Sequence, residues 1–228
     1  MRYITIILCF ICLKGNCQYD FLIDSLGLTS KVRTSVLKGR FVIKKDIRHG
    51  HPTTFYKFSN RELPINYFPP EDKGCGYFVI SNQRFLLDSV YAWNLGCDLD
   101  YGSFKVYRLI MGSKKYLIIT AINYGSGSSS KHVFCNLFDI SGEIFKFMPL
   151  ESIYGSGACF GDFNGDGKLD FVKISADSAS QDNNKFILKL YSLDTATNHF
   201  MATDKQMSFI RTYTANSFNI EVVDRYWK

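Results

Sequence analysis

Gly161-Asp162-Phe163-Asn164-Gly165-Asp166-Gly167-Lys168-Leu169-Asp170-Phe171-Val172 is the segment from which the rest of this sequence is read. Counted from Asp162, side-chain oxygens fall at positions 1, 3, 5 and 9, and Gly167 stands at position 6. Ca²⁺ takes six to eight hard oxygen ligands, and a tight loop of alternating Asp and Asn aims such oxygens at one centre. Gly167 permits the sharp reversal. At position 7 the Lys168 carbonyl can serve as a ligand while its ammonium stays in solvent. The carboxylates of Asp162, Asp166 and Asp170 repel one another in an empty loop, so their density argues for a cation. A solvated Asp/Gly turn is the plain alternative. An EF-hand is excluded, because position 12 holds Lys173 where that loop needs a bidentate Glu. The flank is β-like: Phe171-Val172-Lys173-Ile174 alternates, and Asp170 opens that strand.

Outward from this loop the chain is a series of short aromatic and β-branched runs separated by turn residues. The runs are Arg40–Ile47, Thr54–Phe58, Tyr77–Ile80, Phe85–Trp93, Phe104–Met111, Tyr116–Asn123, His132–Ile140, Ile144–Met148, Phe171–Ala176, Phe186–Leu193 and Phe218–Tyr226. Gly112-Ser113, Gly125–Ser130, Ser141-Gly142 and Asp182–Asn184 punctuate them. No amphipathic helix of three turns follows residue 40, and residues 19–37 fit at most a short helix broken at Gly27. This pattern predicts an all-β domain of antiparallel hairpins. His51–Gly76 carries four of the five prolines (Pro52, Pro64, Pro69 and Pro70) and reads as a surface loop with one short strand. Tyr116–Phe147 and Ala158–Met201 share a strand–loop–strand–turn–strand rhythm of about 40 residues, a period found in propeller blades.

Phe160–Val172 resembles the FG-GAP repeat, also described among VCBS-type repeats: the calcium-bearing blade of integrin α-subunit propellers and of many secreted bacterial proteins. The resemblance implies that Asp162, Asn164, Asp166 and Asp170 are side-chain ligands of Ca²⁺ and Lys168 a main-chain ligand. It also implies blade-like antiparallel sheets in a partial or small β-propeller-like domain; a β-sandwich or barrel is the alternative. The close match covers about a dozen residues, with a looser likeness to about residue 201. Asp98-Leu99-Asp100-Tyr101-Gly102 is the nearest second loop but lacks the later Asp. A seven-bladed propeller needs about twice this length at about 45 residues per blade.

At the N-terminus Arg2, the apolar run Ile4–Leu13 and the small residues Gly15 and Cys17 form the pattern of a secretory signal peptide cleaved before Gln18. The run is too short to span a bilayer, which takes about 20 apolar residues. Lipidation of Cys17 and a buried N-terminal strand are the alternatives. The expected organisation is therefore 1–17 signal peptide, 18–76 an N-terminal segment with a short helix, strands and the Pro-rich loop, and 77–228 the β-rich domain with one calcium loop. The expected location is secreted, periplasmic or cell-surface, with no transmembrane segment after cleavage. Cleavage removes Arg2 and Lys14 and takes the charge from +6 to +4. It leaves Cys75, Cys97, Cys135 and Cys159, an even set that suggests disulfides in an exported chain. The local pairing, Cys75–Cys97 with Cys135–Cys159, is favoured because each pair falls in neighbouring predicted strands; four buried free thiols are the alternative.

The 228 residues are 46% apolar and 21% charged, an ordinary globular composition that argues against disorder and coiled coils. The 27 basic residues are scattered, without the dense cluster a nucleic-acid-binding face shows, so no nucleic-acid partner is expected. His49-x-His51 lacks a third ligand, and His132 and His199 are isolated. Ser126 and Ser156 miss the G-x-S-x-G pattern because Tyr124 and Tyr154 take the first Gly position. Gly155-Ser156-Gly157 is followed by Phe160 rather than the third Gly of a dinucleotide fingerprint. No catalytic residue is assigned. Trp93, Tyr124, Tyr154 and Trp227 have the chemistry to stack on sugars, though such residues often sit in cores. The sequence thus points to an exported, non-catalytic β-domain stapled by Ca²⁺, with an extracellular protein or glycan as partner. An exported hydrolase acting on glycans or peptides is the alternative.

Overall fold

A computed structural model of the chain describes residues 18–48, 51–60, 62–70, 75–87, 99–123, 132–177, 184–213 and 218–226. The signal-peptide pattern, Cys97, His49, Trp93, Tyr124, Ser126 and Trp227 lie outside them. The fold is all-β. After one short helix, α1 (Gln18–Ser25), the strands form three antiparallel five-stranded sheets. The first holds β2 (Phe41–Arg48), β3 (His51–Phe58), β4 (Ile65–Phe68), β5 (Tyr77–Ile80) and β6 (Gln83–Leu86), side by side in chain order. The second holds β1 (Ser35–Val36), then β7 (Leu99–Met111), β8 (Lys114–Asn123), β9 (His132–Asp139) and β10 (Lys146–Ser152). The third holds β11 (Phe160–Gly161), β12 (Asp170–Ala176), β13 (Lys185–Asp194), β14 (His199–Tyr213) and β15 (Phe218–Tyr226). Among the described residues none of the three sheets closes into a barrel. The two 40-residue units with similar rhythm fall one in the second sheet and one in the third.

The second sheet lies between the other two. Leu117, Ile119 and Ala121 of β8 belong to one apolar cluster, shared with Tyr67, Phe78, Ile80 and Phe85 of the first sheet. Their neighbours Tyr116 and Ile118 belong to the other, shared with Phe171, Ile174, Leu188, Leu190 and Phe209 of the third. Side chains alternate across a strand, so β8 feeds both clusters and reads as a nearly continuous apolar run. Each such buried Leu, Ile or Phe contributes about 1.5–3 kcal/mol from area removed from water. Leu22, Ile23, Leu26 and Leu28 place α1 and the turn after it on the second cluster. Gly27, at φ +68°, ends the helix as its sequence implies.

Three expectations are corrected. The Pro-rich stretch is more than a loop with one short strand: β3 runs from His51, and β4 is a strand in which Ile65, Tyr67 and Phe68 are buried. Pro64 precedes the strand and Pro69 and Pro70 follow it, so the prolines bound β4 rather than break it. The chain crosses residue 76 inside the first sheet, with β4 and β5 paired from Ile65↔Ile80 to Phe68↔Tyr77. β14 runs on to Tyr213, well past Met201, where the second 40-residue unit read from the sequence ends. Its polar Thr203-Asp204-Lys205-Gln206 disguises it, and pairing on both sides with β13 and β15 supplies what propensity does not.

The third correction concerns cysteine. Cys135 and Cys159 are buried free thiols, not a disulfide. Each sulfur is turned to a main-chain carbonyl, Cys135 Sγ at 4.0 Å from Val133 O and Cys159 Sγ at 3.8 Å from Tyr154 O. Burial pushes the Cys135 thiol well above its ordinary 9.0, and nearby Cys159 adds to the rise. Both therefore behave as small apolar side chains. Cys75 is disulfide-bonded, its other half lying outside the described residues.

Candidate metal centre

The Asp/Asn loop joins β11 to β12, and its ends are fixed by the pairs Phe160↔Phe171 and Gly161↔Asp170. Two left-handed glycines, Gly165 at φ +78° and Gly167 at φ +79°, turn the chain between them. The acidic and amide side chains hold the loop's own backbone. Asp162 accepts the Gly165 N–H at 2.7 Å on Oδ1 and the Gly167 N–H at 3.2 Å on Oδ2. Asn164 Oδ1 accepts the Asp166 N–H at 3.0 Å, and Asp166 Oδ1 accepts the Lys168 N–H at 2.8 Å. Asp170 Oδ2 reaches back across the loop to the N–H groups of Phe163 (2.8 Å) and Asn164 (3.3 Å). Such Asx interactions make a tight turn out of a segment with no apolar core of its own.

Asp170 is the unusual member. It is 0% exposed, at the head of β12 and opposite Ser192 of β13, whose hydroxyl donates to its Oδ1. Burial raises its pKa above the ordinary 3.8. The Ser192, Phe163 and Asn164 donors oppose the rise, and the like charge of Asp166 adds to it. Among the described residues no ion pair joins Asp162, Asp166 or Asp170 to a Lys or Arg. A buried carboxylate without a cation is costly, and the like charge of Asp166 adds to that cost.

All five sequence-predicted residues thus sit in one loop, bound into one hydrogen-bond network. Asp162 and Asp170 are buried, and Asp166 and Lys168 are exposed. Among the described residues, no three His, Cys, Asp or Glu side chains are gathered in a form that could hold a metal ion. The carboxylates face backbone N–H groups. The donor chemistry still fits a hard dication: three Asp, one Asn amide oxygen and a main-chain carbonyl are all oxygen, and the uncompensated Asp170 is the group a cation would relieve.

Two residues that the sequence did not single out complete the site. Ser192 also lies 3.3 Å from the Asn164 amide nitrogen, and its place follows only from the β12–β13 register. Ser30 belongs to the segment between α1 and β1. Its Oγ accepts the Asp162 N–H at 2.7 Å while donating to Val32 O at 2.6 Å. This segment straps the loop and walls a cleft of ≈ 180 Å³ with Arg33, Tyr107 and Phe163. No motif marks either serine.

Of the other candidates, Asp100 closes a local turn, accepting the Gly102 N–H at 2.9 Å. Tyr154 packs on Phe186 with the Arg211 guanidinium 4.7 Å from its ring centre, so one face of the ring is taken. His132 lies on β9 and His199 at the exposed start of β14. No helix among the described residues is long and apolar enough to cross a membrane. No protein-family model, curated protein or solved structure matches the chain.

Proposed function

We propose that the chain is an exported, non-catalytic β-domain in which one Ca²⁺ is a structural staple and the surface serves adhesion or ligand binding. The reading follows the FG-GAP/VCBS-type resemblance. Asp162, Asn164, Asp166, the Lys168 carbonyl and Asp170 would hold the ion. The observation that carries it is Asp170, fully buried, raised in pKa, repelled by Asp166 and without a cationic partner among the described residues. Ca²⁺ supplies the missing charge. Binding to the folded loop alone adds RT ln(1 + [L]/Kd), about 2.7 kcal/mol at one hundred times Kd. A Kd of about 10⁻⁴–10⁻³ M suffices in calcium-rich extracellular surroundings. The test is the melting temperature in calcium against chelator, with calorimetry of Ca²⁺ binding. A calcium-dependent rise is expected. An unchanged melting temperature with no heat of binding makes the loop a bare turn and removes the reading's main support.

A further inference from the structure

The cleft of ≈ 180 Å³ beside the loop lies between α1, the strap that joins α1 to β1, and the short turn Gly157–Cys159. Each of these is held in place. Leu26 O, just after α1, accepts a hydrogen bond from Arg225 Nη2 of β15 at 3.0 Å. The strap runs into β1, which pairs with β7 through Ser35↔Arg108 and Val36↔Tyr107. It also meets the turn closely: a Cβ built on Gly157 lies 2.5 Å from Thr34 Oγ1 and 2.4 Å from the Tyr107 ring. The walls therefore stand in position before any ligand arrives, as those of small-molecule sites usually do. The interior and the rim differ in chemistry. Ile23 and Phe160, 3% and 1% exposed, form the floor, and the half-buried Ala158 and Phe163 line the walls. Asp24 and Arg33 are exposed at the rim. Among the described residues neither side chain makes an ion pair or a hydrogen bond, with the other or with any further group. A carboxylate and a guanidinium thus border one apolar cleft with their charges uncommitted.

We propose that this cleft binds a free amino acid with a bulky apolar side chain, of the leucine or phenylalanine kind. The inference goes beyond the calcium reading: the site is separate from the ion's ligands and does not need an ion in the loop. Three demands define the ligand. Arg33 takes a carboxylate, which its planar fork of donors matches. Asp24 takes an ammonium by a charge-assisted hydrogen bond. The floor takes hydrocarbon, removed from water as it enters. An ammonium and a carboxylate on one carbon beside an apolar group are the chemistry of an α-amino acid. A fatty acid or an alkylamine meets one charge and leaves the other bare. A sugar would set hydroxyls against Ile23 and Phe160, where they find no partner. Size adds a further limit. Sites for drug-sized ligands measure about 300–1,000 Å³, so ≈ 180 Å³ seats one such molecule rather than a peptide or a sugar chain.

The test is titration calorimetry of the full chain with leucine and phenylalanine, against three compounds that each lack one part. They are isocaproate, which is leucine without its ammonium, isoamylamine, which is leucine without its carboxylate, and glycine, which has no side chain. Binding of leucine or phenylalanine is expected, with each of the three weaker by about tenfold or more, about 1.4 kcal/mol per decade. Asp24→Asn should bring leucine down to the level of isocaproate, and Arg33→Gln to that of isoamylamine. Both residues are exposed, so their variants keep the fold, as an unchanged melting temperature would confirm. Ala158→Leu fills the cleft while both charges stay, and it should abolish binding, which a merely charged surface would not show. Failure of both amino acids to bind overturns the proposal, and so does binding that survives all three substitutions unchanged. Repeating the titration in chelator separates this site from the calcium reading. Amino-acid binding there supports the cleft whatever the loop holds. A calcium-dependent melting shift without amino-acid binding sinks this inference and leaves the calcium reading standing.

Discussion

Asp170 and Asp139 are both buried carboxylates, and their surroundings send them in opposite directions. Burial pushes both up. At Asp139 the Ser141 hydroxyl and N–H and the Lys114 ammonium, 3.1 Å away, outweigh it and hold the group below its ordinary 3.8. A depressed folded pKa contributes stability that is present above the unfolded value and lost as pH falls through the folded one. Asp139→Asn should therefore cost about 1–3 kcal/mol near neutral pH. In urea denaturation the gap to the parent should close as pH drops below 3.8. At Asp170 the like charge of Asp166 reinforces desolvation and Ser192 supplies only a hydroxyl. Ser192→Ala should thus destabilise the protein by about 1–3 kcal/mol, read by the same denaturation. Asp166→Ala should abolish the calcium-dependent rise in melting temperature. Lys168→Ala should keep most of it, because only its carbonyl is used.

At the scale of elements, the segment between α1 and β1 and the strand β11 are fitted to each other without spare room. A Cβ built on Gly161 lies 2.2 Å from Ser30 Oγ and 3.0 Å from Val32 O. Gly161→Ala must push the strap away and break the bond from the Asp162 N–H to Ser30. A loss of about 1–3 kcal/mol is expected, the usual cost of overpacking. The strap should also show faster amide exchange at residues 30–36 in that variant. Unchanged exchange there would show that the strap holds by its apolar contacts alone.

Across the whole molecule, the second sheet is the shared wall of both cores, while the loop lies in the third sheet. Calcium should therefore slow amide exchange most in β11, β12, β13 and the strap, and least in the first sheet, since opening energies follow local packing. The thiols are also a whole-molecule property. Cys135 and Cys159 lie in the core between the second and third sheets. Alkylation mapped by mass spectrometry should modify them only after denaturation, and Cys75 only after reduction as well. Modification of Cys135 in the native protein would contradict its burial.

Much of this protein was legible in its sequence because the signals are local. Alternating apolar runs place most of the strands, Gly27 ends α1, and the Asp/Asn spacing brings five residues into one loop, each decided within a dozen residues of chain. Tertiary structure decided the rest. β4 and β14 are strands because neighbours pair with them, although prolines in one region and polar residues in the other hide the alternation. Ser30 and Ser192 reach the loop from 132 and 28 residues away from their partners Asp162 and Asn164, by strap and by register, which no local pattern encodes. Cys135 and Cys159 remain thiols because the fold gives each its own carbonyl in an apolar core. Lys57, Asn66 and Arg84 stand in one row of the first sheet only once its strands are paired, for a sequence specifies alternation along each strand but not which strands pair.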